Sequence, residues 1–328
     1  MKKLLLISVL LLIVGCSVID DDLSVCGQDY KLRYTMRLVT NIHLRVEEKL
    51  SAEEDRQLAD TLKKWLSPIF ETYAHDLDMS FFSQDGQDKL CKHSHEIINA
   101  MQKSYTLYLP VADYMHLAVV NTDNNDYVHV EGTEHAATFK LSQHTADTIM
   151  SHPTAVFAAR LQMEMKDGVD QDFEVNMYMM TSAVALVLVS APDTVPEMDV
   201  LLSGTATGYM VRDSVFLYDN STLIRAEKVT DRCYAMLSWP SRDNEANAVQ
   251  ARSKQANTLW EVRSYAHMTD GSITETILSV DTALEAGTLE ILKVEMLNDG
   301  SLKPVENAHV GASVTLDWKE GSHHDVVI

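Results

Sequence analysis

The chain has 328 residues, 46% of them hydrophobic, with 27 basic and 48 acidic side chains and a formal charge of -21 at pH 7. A surface this acidic repels phosphate backbones and anionic headgroups, which excludes nucleic-acid binding and attachment to a membrane by charge. The length allows two domains of ordinary size, each with its own core.

At the N-terminus, Lys2 and Lys3 precede Leu4–Val14, an uninterrupted run of 11 apolar or small residues. A bilayer-spanning helix needs about 20 apolar residues, so this run is too short to span and suits the core of a secretory signal. Ile13-Val14-Gly15-Cys16 resembles the lipobox of bacterial lipoproteins, where small residues let a peptidase cut just before a diacylglyceryl-modified cysteine. Residues 1–15 are therefore expected to be a signal peptide cut between Gly15 and Cys16, with Cys16 lipidated. Each buried acyl methylene contributes about 0.8 kcal/mol, and more than one chain gives a stable anchor. Residues 16–29, with Asp20-Asp21-Asp22, read as the lipidated tether. Cys26, Cys91 and Cys233 remain, an odd number in an exported protein, and one disulfide plus one free buried thiol is the simplest accounting. Cys26–Cys91 is the preferred pair because both fall in the first half, although sequence leaves the connectivity open.

A first domain is expected over residues 30–150. Tyr30, Leu32, Tyr34, Met36 and Leu38 alternate with Lys31, Arg33, Thr35 and Arg37, the period of a half-buried strand. Ser51-Ala52-Glu53-Glu54 has the form of a capping box. Behind it Leu58, Leu62, Trp65, Leu66, Ile69, Phe70 and Tyr73 recur at helical spacing, and Pro68 is expected to kink or interrupt that helix. Strands follow at Leu77–Phe81, Tyr105–Leu109 and Tyr114–Val120, with a turn at Asp85-Gly86 and a break at Pro110. Asn121–Asp126 is a polar loop, and the pattern stays weak to about Pro153.

A second domain, residues 151–328, is β-rich. Ala159–Met165 and Phe173–Met179 both alternate and read as a hairpin around Asp167-Gly168. Ala183–Val189 is nearly all apolar, as in a strand buried on both faces or paired centrally. Further strands are expected at Tyr209–Tyr218, Tyr234–Trp239, Leu259–Met268, Ile273–Val280, Leu289–Leu297 and Val310–Trp318, with tight turns at Asp270-Gly271 and Asp299-Gly300. Many short strands at this spacing indicate β-sandwiches.

Catalytic chemistry finds little support. Cys91, His93 and His95 lie close together, but their spacing matches no zinc pattern, and His323-His324 is weaker still. Ser203–Gly208 has the glycines of a phosphate loop without its lysine. The methionines, notably Met163, Met165, Met177, Met179 and Met180, read as core filler. No catalytic residue, cofactor or metal is assigned, and the chain is not expected to be an enzyme.

Asp21-Asp22-Leu23-Ser24-Val25-Cys26, just after the lipid site, resembles the N-terminal signature of the FimB/Mfa-type fimbrial anchor lipoproteins of Bacteroidetes. Asp78-Met79-Ser80-Phe81-Phe82 running to Asp85-Gly86, and Leu107–Val120 with Pro110, look like the family's strand-turn-strand segments. The likeness is specific through about Asn121 and thins beyond it, and the helix within Leu50–Tyr73 is longer than the family pattern. The resemblance implies a mostly β chain: two tandem transthyretin-like β-sandwich domains, here with one helix inserted in the first. It implies a lipid-anchored, surface-exposed outer-membrane protein that terminates the base of a fimbria and pairs with a pilin subunit by β-strand complementation. The rival expectation is a surface lipoprotein that binds glycan or protein through an exposed aromatic platform. Trp239 and Trp260 could serve such a platform, but both lie in strand-like runs that favour the core.

Overall fold

The computed structural model describes residues 29–39, 56–71, 74–84, 89–97, 104–123, 125–144, 146–219, 222–243, 258–305 and 310–319. The alternating N-terminal segment forms β1 (Tyr30–Val39), with Leu32, Tyr34 and Met36 buried and Lys31, Arg33 and Arg37 exposed. It joins β2 (Asp76–Ser83), β3 (Leu90–Ile97), β4 (Ser104–Leu109), β5 (Asp113–Val120), β9 (Phe157–Glu164) and β10 (Gln171–Met179) in one sheet of order β3-β2-β5-β9-β10-β1-β4.

That sheet folds over on itself. In a flat sheet β1 and β5 would stand roughly 14 Å apart, three strand spacings. Yet the Tyr34 hydroxyl is 2.9 Å from His116 Nε2. The fold occurs between β9 and β10, which are paired only at Tyr178↔Ala158 and Met179↔Phe157. Layer β3-β2-β5-β9 thus closes against layer β10-β1-β4, with Leu32, Met36, Leu77, Met79, Phe81, Tyr114, Met163 and Met177 buried in one core.

Helix α1 (Arg56–Glu71) adds Ala59, Leu62 and Leu66 to the same core, the stripe that helical spacing predicts. Pro68 does not end it: the helix runs on to Glu71. A proline this close to the end removes only one of the last backbone hydrogen bonds. The capping box and the Asp85-Gly86 turn lie outside the described residues.

The later strands are β11 (Ser182–Ser190), β12 (Glu197–Ser203), β16 (Glu227–Thr230), β17 (Cys233–Ser238), β18 (Trp260–His267), β19 (Ser272–Val280), β20 (Leu289–Met296), β21 (Leu302–Pro304) and β22 (Val310–Lys319). With the short strands β8 (Thr148–Met150) and β15 (Leu223–Arg225) they form a five-stranded sheet, β16-β17-β11-β20-β21, and a six-stranded sheet, β22-β19-β18-β12-β15-β8. Val184, Leu186 and Leu188 of β11 face the six-stranded sheet across a core containing Val200, Leu202, Trp260, Val262 and Leu278. Ala183, Ala185 and Val187, on the other face, join the first core beside Cys233, Ala235 and Leu237. The five-stranded sheet is therefore packed on both faces, which explains the unbroken apolar run in β11. The small alanines give the first core a flat wall.

A fourth sheet, β14-β13-β7-β6, is built from β6 (Val128–Glu131), β7 (Lys140–Gln143), β13 (Gly208–Met210) and β14 (Val215–Leu217). It covers the outer face of β2 and β5, where Phe82, Met115, Leu117 and Val119 meet Phe139, Leu141, Tyr209 and Trp239. Tyr209–Tyr218 is thus two short antiparallel strands rather than one, reversing near Ser214, whose φ is 56°.

Hydrogen bonding does not change over at residue 150. β8 already pairs in parallel with β15 in the six-stranded sheet, whereas β9 and β10, past that point, complete the first sheet. The segments 30–150 and 151–328 therefore exchange strands. The physical reason is the parallel pairing of β10 with β1, from Leu32↔Gln171 to Val39↔Tyr178, which joins distant segments and leaves no local signal. Gly204 ends β12 at φ 88°, where a Cβ would come 2.8 Å from the Leu259 carbonyl oxygen. That glycine serves close strand packing, not phosphate binding.

Candidate functional site

Two features stand out: the first described strand, β1, and the outer strands of the sheets. β1 is held on both sides, antiparallel to β4 from Tyr30↔Leu109 to Thr35↔Ser104 and parallel to β10. Its start is fixed by the loop after β9. The Tyr30 hydroxyl donates to Asp167, and the Lys31 backbone N–H donates to Asp170 Oδ1 at 3.2 Å. The Asp167 hydrogen bond raises the Tyr30 pKa. On the exposed face Arg33 lies 3.6 Å from Asp172 and Arg37 lies 3.3 Å from Glu174, ion pairs that contribute little.

Beneath β1 lies a buried polar pair. The Ser80 carbonyl, 3.1 Å from His116 Nδ1, can only accept, so the proton sits on Nδ1. Nε2 then accepts the Tyr34 hydroxyl across the sandwich. His116 also stacks on Phe81 at 4.4 Å. Burial holds the His116 pKa down at about 4 and raises that of Tyr34.

Among the described residues β3 and β4 are the edges of the seven-stranded sheet. On β3, Cys91, His93 and His95 fall on one side of the strand, as a period of two requires. Their partners are carboxylates. Asp78 of β2 stands directly opposite His95. His95 Nδ1 is 3.0 Å from Asp78 Oδ2, and Nε2 is 2.9 Å from Asp123 Oδ2. Both acceptors are carboxylates, so both ring nitrogens carry protons and His95 is an imidazolium. Burial lowers its pKa, but the Asp78 hydrogen bond and the charges of Asp78 and Asp123 outweigh this and leave it raised. His93 Nε2 lies 3.5 Å from Asp78 Oδ1, and its Nδ1 is 3.0 Å from Ser80 Oγ. Nearby Asp76, fully buried, accepts from Thr122 N at 2.9 Å, Thr122 Oγ1 at 3.0 Å and Asp123 N at 3.1 Å. Burial raises its pKa against those bonds. No metal-holding group occurs among the described residues.

Cys16, Gly15, Cys26, His323 and His324 lie outside the described residues. Cys91 is exposed, and Cys233 is buried, which pushes its thiol pKa up to about 12. Trp239 and Trp260 are buried at 0% and 1% exposure, so neither forms a surface platform. The sequence reading missed Asp78 and Asp123 as partners of the β3 histidines. Strand pairing alone brings them together, and only the period-two placement of His93 and His95 hinted at it.

The stacked β-sheets define an all-β sandwich protein. The chain is similar in fold to a candidate polysaccharide-binding protein from Bacteroides thetaiotaomicron, with 11% identity, 85% of this chain and 99% of the other covered, and a TM-score of 0.52. A candidate adhesin from Bacteroides ovatus gives 10% identity, coverage of 89% and 98%, and a TM-score of 0.50. The fimbrial anchor protein Mfa2 from Porphyromonas gingivalis gives 15% identity, coverage of 88% and 98%, and a TM-score of 0.45. No curated protein sequence matches the chain. The family model for the fimbrillin-A associated anchor proteins Mfa1 and Mfa2 matches residues 67–252, more than half the chain. The chain belongs to this family and is a fimbria-associated protein of the cell surface.

Proposed function

We propose that this protein is an outer-membrane lipoprotein that anchors and terminates a fimbria, held by acylated Cys16 and joined to a pilin subunit by β-strand complementation. Family membership carries the reading. The course of β1 supports it: the segment that follows the tether is committed to the first sandwich and paired on both sides. Among the described residues β3 and β4 are the outer strands of the first sheet, and an extended segment added to such an edge would gain affinity from backbone hydrogen bonds and register from side-chain alternation. The role is structural rather than enzymatic, and its partners are fimbrial subunits and the outer-membrane lipid.

The test is isolation from native outer membranes. Co-purification with a major pilin supports anchoring, whereas a chain that never associates with pilin sinks it. Cys16→Ala separates the two halves of the proposal. It is expected to release the protein in soluble form, and a variant that remains in the membrane fraction refutes the lipid anchor.

A further inference from the structure

The outward face of the four-stranded sheet carries a cleft of about 340 Å³ that the anchoring role does not use. Its floor is one cross-strand row, His129–Ser142–Gly208–Leu217, contributed by β6, β7, β13 and β14. Gly208 leaves this row without a side chain at its centre. A Cβ there would stand 2.7 Å from the Leu141 carbonyl oxygen, so the depression is fixed by backbone packing. His144 stands beside His129 with ring centroids 5.9 Å apart and nearly edge-on, forming one wall, and Asp219 and Thr207 line the rim.

The charges decide which ligand chemistry fits. Lys140, the one cation in the lining, is 3.0 Å from Glu131 and is neutralised by it. With that pair balanced, the Asp219 carboxylate on the rim disfavours phosphate, sulfate or uronate. What remains is a set of hydroxyl-matching groups. The Asp219 carboxylate accepts, the imidazole nitrogens and the Ser142, Thr207 and Thr222 hydroxyls offer further hydrogen-bonding positions, and Leu217 offers an apolar patch for a C–H face. Gln143, the next residue along β7, turns to the opposite face, where its Oε1 accepts from the buried His152 Nε2 at 3.3 Å, so it supports the sheet from the core side. We propose that the cleft between β6, β7 and β14 is a binding site for a neutral saccharide. Its volume sits at the lower end of the ~300–1,000 Å³ range of small-molecule sites, a size suited to a mono- or disaccharide.

The test is saturation-transfer NMR on the detergent-solubilised full chain with a panel of neutral mono- and disaccharides, with inorganic phosphate and a uronic acid as charged probes. The expected result is saturable binding of a neutral sugar and none of the anions. Asp219→Ala and His129→Ala, both at exposed positions, are each expected to weaken binding by about tenfold or more, the value of one hydrogen bond to a charged or strongly polar group. Ser142→Phe, which fills the floor, should abolish it, while Glu134→Ala, outside the cleft, should leave it unchanged. Absence of neutral-sugar binding, preference for an anion, or binding that survives Ser142→Phe in a folded protein overturns the proposal. Co-purification with pilin is unaffected by these variants, so failure here and failure of the anchoring role are distinguishable.

Discussion

The Tyr34–His116 pair allows a sharp test of how the first sandwich is closed. In Tyr34→Phe the ring keeps its place in the core, but the hydroxyl that satisfies His116 Nε2 is gone. The imidazole is fully buried, so its orphaned acceptor loses a partner that water cannot replace. Leaving a buried polar atom unsatisfied costs about 1–3 kcal/mol. His116→Leu alone should cost a similar amount, because it orphans the Tyr34 hydroxyl and also breaks the bond to Ser80. Removing both partners should cost less than the sum, with a coupling of about 0.5–3 kcal/mol for a pair in direct contact. Urea unfolding at pH 7.5 of the wild type, the two single variants and the double variant measures each quantity. Additive losses, with no coupling outside error, would show that β1 and β5 are held by apolar burial alone.

Acid should weaken the fold through the buried histidines. His116 and His152 both have folded pKa values lowered to about 4 by burial, so the unfolded chain binds more protons than the folded one between about pH 6.5 and 4. Stability is therefore full above about pH 6.5 and lost as pH falls toward 4, by on the order of 3 kcal/mol per site. A pH series of urea midpoints checks this, and His116→Leu should flatten part of the decline. His95 acts in the opposite sense. Its raised pKa means that its contribution is present below its unfolded pKa and lost as pH rises through the folded value. His95→Gln should remove that alkaline dependence, which NMR titration of the His95 ring would show directly. Leu62→Ala, at a fully buried position of α1, is expected to cost about 2–5 kcal/mol by opening a cavity, measured by the same denaturation.

Several elements were legible in the sequence because one residue pattern decided them. Tyr30–Leu38 alternates cleanly because β1 has one face in the core and one in water. Leu62 and Leu66 reveal the buried stripe of α1 for the same reason. β2 misled in a subtler way. Its apolar residues alternate with Asp76, Asp78 and Ser80, which suggests a wet face, yet all eight of its residues are buried. Those polar side chains are satisfied by Thr122, His95 and Thr133, partners from other parts of the chain. The four-stranded sheet was illegible because β6, β7, β13 and β14 have only three or four residues each, too short for any period to emerge. The saccharide cleft inherits that blindness: its row of four residues is consecutive in space and scattered in sequence.

The setting of β1 has a mechanical consequence. A pull along the strand from its N-terminal end does not peel one hydrogen bond at a time. It slides β1 against both neighbours at once, eight register positions on β10 and six on β4. Resistance to such shear is a rate, governed by the barrier to sudden rupture and not by equilibrium stability. The proposed acyl anchor would oppose such a pull with a strength that grows by about 0.8 kcal/mol for each methylene. If the chain bears load as proposed, that load meets β1 in the geometry where both neighbouring strands share it.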